Sequence, residues 1–161
     1  MPKAKSAQTN RSHKRLKEEV QVGWCELVHL PELGLGAVRA KMDSGAATSS
    51  IHATRISAFQ KDGADWAEFS FRAAKQHPAI MLRAPIVDRR IVRSSNGKEQ
   101  LRYVIGAKME MGGLQWEGQL TLANRGSMAF PILLGRRALR RGFLVNSGKR
   151  WLLGKPTASA Q

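Results

Sequence analysis

Asn96-Gly97 sits between two strand-like runs, residues 85–93 and 99–106. Tight hairpin turns favour positive φ, which both residues of Asn-Gly tolerate and most pairs do not. This dipeptide therefore commits the middle of the chain to antiparallel strands. The rest follows the same grammar. Residues 22–30 and 35–42 are apolar runs separated by Pro31-Glu32-Leu33-Gly34, a turn. Residues 51–59 and 64–72 are two more strand candidates, the second alternating Trp66, Phe69 and Phe71 among polar residues. Residues 109–122 predict a further hairpin about Gly112-Gly113. Residues 136–141 predict one short helix, and 143–145 and 150–153 two short closing strands. Many strands and one short helix predict an all-β fold, a closed barrel.

The chain has 161 residues, 42% of them hydrophobic, enough for one domain with its own core. Residues 1–19 are polar and basic, with too little apolar surface to offset the entropy of ordering, and predict a disordered tail. The domain is expected over residues 20–154, and residues 155–161 form a second small tail. Charge is the unusual quantity. Lys and Arg total 27 against 12 Asp and Glu, a net charge of +15. Such a balance favours an acidic partner: nucleic acid, anionic lipid or acidic polypeptide. Cys25 is alone, which excludes an intramolecular disulfide and a cysteine-based zinc cluster. Met1-Pro2-Lys3-Ala4-Lys5 is followed by no apolar stretch, so a secretory leader is not expected. No run approaches membrane-spanning length. The expected location is cytoplasmic.

Two short segments carry the candidate chemistry. Lys41-Met42-Asp43-Ser44-Gly45-Ala46 puts a carboxylate at the end of an apolar strand, before a glycine that permits a tight turn. Ile132-Leu133-Leu134-Gly135-Arg136 follows much later. Asp-Ser-Gly alone is also an ordinary turn; the two segments in this order are more specific. They resemble the paired signatures of retropepsin-like aspartic peptidases. The wider set Gly23-Trp24, Leu30 to Gly34, Thr48-Ser49, His52-Ala53 and Val92 to Gly97 is similar to one bacterial family, called RimB-like or, in older usage, ATP-dependent zinc protease. The resemblance covers roughly residues 21–154.

The resemblance implies a retropepsin-like barrel that dimerises. It implies an aspartic-type peptidase acting on oligoglutamate-tailed polypeptide in ribosomal protein modification. Asp43 would be catalytic. With one signature per chain, the second carboxylate must come from a second copy, and the two would share a proton. Ser44, Gly45, Ala46 and Gly135 would support the catalytic loop. The hairpin around Ser94-Ser95-Asn96-Gly97 would be the flap, bringing Arg90, Arg93, Ser94, Ser95 and Arg102 to substrate; Arg can grip a carboxylate bidentately. His52 and Arg136 complete the candidate substrate-binding set. Ala47 stands where many retropepsins carry an Asp that pairs with the later Arg, so Arg136 is expected to be free for dimer packing or substrate.

No cofactor is expected. His13, His29, His52 and His77 are scattered, there is no H-E-x-x-H, and no G-x-x-x-x-G-K-[ST] loop occurs. The expected partners are a second copy, an acidic peptide or glutamate-tailed ribosomal protein, and nonspecific RNA, without a membrane. Two other readings remain: a non-catalytic basic barrel that binds RNA or ribosomes, and an inactive retropepsin fold kept for partner binding. The first would want aromatic stacking residues on a strand face, and aromatics are only 6%.

Overall fold

The computed structural model describes residues 18–93, 96–124 and 129–157. Most of both predicted tails lies outside these residues. Eleven strands occur among them, with one α-helix and one 3₁₀ turn. In chain order the strands are β1 (Val20–Gly23), β2 (Cys25–Leu30), β3 (Leu35–Met42), β4 (Ser49–His52), β5 (Thr54–Lys61), β6 (Ala64–Phe71), β7 (Ile80–Arg93), β8 (Glu99–Met111), β9 (Leu114–Ala123), β10 (Ile132–Leu134) and β11 (Phe143–Asn146). The helix α1 (Arg136–Leu139) follows β10.

Six strands close on themselves. The order β2-β3-β10-β4-β9-β8 returns to β2 through the pairing of His29 with Glu110. β7, β6 and β5 continue the sheet beyond the closed part, and β1 pairs with β11 in parallel. Alternation explains the closure. Val38, Ala40 and Met42 of β3 are buried, whereas Arg39 and Lys41 between them face outward. Leu120 and Leu122 of β9, Ile105 and Met109 of β8, and Ile132 and Leu134 of β10 fill the same interior. A strand with alternate residues buried has one face for the core and one for its surroundings.

The predicted closed all-β barrel and short helix are present. Residues 35–42 form β3 as expected, and Pro31–Leu33 form a 3₁₀ turn ended by Gly34 at φ 70°. Both predicted hairpins occur, β7–β8 and β8–β9. Four expectations need correction. The run 22–30 is two strands, broken at Trp24, whose N–H donates to the carbonyl of Lys149 and whose carbonyl accepts from the Met42 N–H. The run 51–59 breaks at Ala53, whose N–H donates to Ala123. The helix stops at Leu139, short of 141. Residues 150–153 form no strand: the amides of Leu152 and Leu153 donate instead to the carboxylate of Glu26.

Candidate functional site

Asp43 follows β3 directly. β3 and β10 run parallel, with Met42 beside Leu134, so the two signature segments leave the barrel together. The Asp43 N–H donates to the Leu134 carbonyl at 2.8 Å, which fixes the start of the loop. The Gly45 N–H donates to Asp43 Oδ1 at 2.9 Å and the Ala46 N–H to the Asp43 carbonyl at 3.2 Å, curling the loop back on the carboxylate. Asp43 itself is half-buried, and Ser44 and Gly45 are exposed.

Helix α1 holds the loop from the other side. The Arg136 and Arg137 N–H groups donate to the carbonyls of Ala46 and Ala47. The Gly135 N–H donates to Ser49 Oγ at 3.0 Å. Gly135 is dictated by contact: a Cβ there would lie 2.5 Å from the Thr48 carbonyl oxygen. Arg136 is not free as the sequence suggested. Its Nη1 donates to the Ser44 carbonyl at 3.0 Å, so with Ala47 in place of an acid the guanidinium anchors the loop backbone.

The other candidates are dispersed. His52 ends β4, away from the Asp43 loop, and its N–H donates to the Pro131 carbonyl. Arg90 pairs with Asp88 at 3.1 Å and Arg93 with Glu99 at 2.9 Å. Arg89 pairs with Asp65 at 2.8 Å. Two of the three hairpin guanidiniums expected to await a substrate carboxylate, Arg90 and Arg93, thus already hold carboxylates of the chain itself. Arg102, half-buried, stands opposite Arg90 in the ladder. Ser94 and Ser95 lie outside the described residues.

The electrostatics of this region are local. The Arg89 side chain holds the Asp65 carboxyl below its ordinary range, with Gln60 adding a further hydrogen bond. The Arg89 backbone N–H does the same for Asp88, helped by the Arg90 side chain. Burial pushes the Cys25 thiol up, as expected of a small buried hydrophobe. Among the described residues no three His, Cys, Asp or Glu side chains converge as metal ligands. No helix among them is long and apolar enough to cross a membrane.

Three residues that matter here were given no role from sequence, although Ser49 was part of the resemblance. Ser49 supports Gly135, and Glu26 gathers the chain's end. Arg39 faces outward between buried Val38 and Ala40, and this alternation was the one available signal for it.

Residues 21–156 match the RimB-like family, described as retropepsin-like aspartic endopeptidase RimB. The chain belongs to the RimB-like family. Curated relatives of this RimB-like chain carry a different activity in their names. A protein of Shewanella pealeana is 42% identical over 134 residues, and one of Desulfotalea psychrophila 37% identical over 134 residues. Both are named "Probable alpha-L-glutamate ligase". Each alignment covers 82% of this chain but only 29% and 28% of the relative. The chain therefore spans less than a third of the curated relatives it matches. A solved Legionella pneumophila structure of a protein of unknown function (DUF785) superposes with a TM-score of 0.68 at 24% identity, covering 83% of this chain and 97% of that one. At that identity the likeness shows the fold.

These names correct the expected activity. The sequence pointed to an aspartic-type peptidase, a hydrolase of acidic polypeptide; the curated relatives are named as ligases, which join glutamate rather than release it.

Proposed function

We propose that this barrel serves α-L-glutamate ligation by holding the acidic polypeptide on which the ligation takes place. The observation that carries this reading is the name borne by relatives up to 42% identical over nearly the whole folded part. Charge supports it: a protein of +15 attracts a glutamate-bearing chain from a distance and slows its escape. A closed barrel is a rigid base for such binding, since it leaves few sheet edges to rearrange. Two copies pair through the region of the exposed Ser44-Gly45 turn, which Arg136 and the α1 amides hold in one shape. The setting is the cytoplasm, with a ribosomal protein as the polypeptide.

The test is fluorescence anisotropy with a labelled peptide ending in four glutamates, against the same peptide ending in four glutamines. Products are followed by mass spectrometry with glutamate, ATP and magnesium present. Selective binding of the glutamate peptide, with its mass unchanged or increased, is the expected result. A shortened peptide, or equal binding of both peptides, would overturn the reading.

A further inference from the structure

A cavity of about 570 Å3 opens beside Arg39, near the middle of β3. Arg39 from β3, His52 from β4, Thr54 from β5, Ser70 from β6, and Arg72 and Lys75 from the connection after β6 line it. Asp43 lies four positions after Arg39, about 13 Å along a strand at its usual rise, and no residue of the 43–47 loop lines the cavity among the described residues. The cavity is therefore a second place, not an extension of the signature loop. Its volume lies in the range that holds small ligands or a few residues of peptide.

Its charge is one-sided. Among the described residues that line it there is no Asp or Glu. Arg39, Arg72 and Lys75 form no ion pair among the described residues, unlike Arg89, Arg90 and Arg93 of the hairpin. The decisive atom is Arg39 Nε. It is buried from solvent and, among the described residues, has no hydrogen-bond partner. Leaving a charged N–H out of water without an acceptor is unfavourable, and buried donors nearly always find one. The side chain is nevertheless held in place: its guanidinium lies 5.8 Å from the centroid of the Phe130 ring, which is itself packed edge-on against Trp24 at 5.6 Å. A guanidinium already oriented by an aromatic ring, short of an acceptor and on the wall of a roomy cavity, is preorganised for an oxyanion. Thr54 and Ser70 supply hydroxyls for its second oxygen, and a small apolar wall at Pro131 leaves space for a short methylene stem.

We infer that this cavity is a carboxylate-binding site, built on Arg39 and completed by Arg72 and Lys75, which takes glutamyl side chains of the bound acidic polypeptide. The identity of the ligand rests on the proposed function; the oxyanion chemistry rests on the cavity alone.

The experiment titrates the full chain with glutarate and follows the Arg39 Nε–Hε resonance by NMR, assigned through its loss in Arg39→Lys. Glutaramide, the uncharged analogue, and inorganic phosphate serve as controls. A saturable shift with glutarate is expected, with glutaramide inert and phosphate weaker. The exposed pair Arg72→Ser and Lys75→Ser together should weaken glutarate binding about tenfold, equal to about 1.4 kcal/mol. No shift, an equal shift with glutaramide, tighter binding of phosphate, or unchanged affinity in the double variant would overturn the site. Folding of the double variant is checked by its amide spectrum. Tetraglutamate binding separates the two ideas. Peptide binding that the double variant leaves intact would overturn this site and spare the general reading. Glutarate binding without peptide binding would overturn the general reading and leave an oxyanion site for small dicarboxylates.

Discussion

Gly135 shows how little freedom the signature loop has. Its Cα hydrogen faces the Thr48 backbone so closely that a methyl would meet the carbonyl oxygen at 2.5 Å and the carbonyl carbon at 2.6 Å. Neither neighbour is the end of a flexible side chain, so the backbone itself would have to move. Gly135→Ala is expected to destabilise the fold by about 3 kcal/mol, the upper end for overpacking a tight site, and to loosen the Asp43 loop through the bond from the Gly135 N–H to Ser49 Oγ. Urea unfolding measures the first effect and amide exchange at Ala46 the second. A variant as stable as the parent would show that the loop tolerates displacement. The role of Asp43-Ser44-Gly45 as a carboxylate at the end of a strand was legible because its spacing from the apolar strand and from Gly135 is written in the chain. Arg136 was half legible. Its nearness to the loop followed from the resemblance, but a guanidinium with no acid at position 47 still found an acceptor, the Ser44 carbonyl. Sequence names side-chain partners more readily than backbone ones.

At the scale of elements, strands with one buried face were read closely and strands that change partner were not. β3 alternates between core and exterior from Val38 to Met42, so its end before Asp43 could be read from pattern. β7 could not. Its first half pairs with β6 from Phe71↔Ile80 to Trp66↔Pro85, and its second half pairs with β8 from Ile86 onward. Pro85 lacks an N–H and sits at this exchange, where a sequence reading naturally starts a strand. The end of the chain was misread for a comparable reason. Glu26 is wholly buried, and its carboxylate accepts from the N–H groups of Gly23, Leu152 and Leu153, giving those amides an acceptor that a strand partner would otherwise supply. The hairpin region carries a prediction of its own. Asp65 and Asp88 both hold their protons less tightly folded than unfolded. Their contribution is therefore present above the unfolded carboxyl range, about pH 3.9, and is lost as pH falls through the lower folded values. Both groups are exposed, so the contribution is small. Carbon NMR titration should show both carboxyls inflecting below the ordinary range. Arg89→Gln should raise Asp65, which depends on the Arg89 side chain, and leave Asp88 low, since its main donor is the Arg89 backbone N–H. Equal upward movement of both would mean that the guanidinium charge, rather than the specific hydrogen bonds, sets the shifts.

For the whole molecule the governing quantity is charge, the one property composition stated outright and structure redistributed. The sequence placed the useful cations on the hairpin. The fold ties Arg89, Arg90 and Arg93 to Asp65, Asp88 and Glu99, and leaves Arg39, Arg72 and Lys75 around a cavity with no acid among its described lining residues. Such a division depends on which strands become neighbours, so local pattern could not reveal it. The proposed pairing of two copies brings together two chains of +15. Their repulsion acts over the Debye length, about 10 Å at 0.1 M salt and about 3 Å at 1 M. Capture of an acidic peptide is weakened over the same range, because the same screening removes attraction. Sedimentation equilibrium should therefore show pairing that strengthens as salt rises, while peptide anisotropy shows binding that weakens. At low salt a tetraglutamate peptide should itself promote pairing by neutralising charge, an effect the glutamine peptide lacks. Pairing that weakens as salt rises would place ion pairs, not apolar contact, at the interface. A chain that stays single under every one of these conditions would remove the pairing from the proposal.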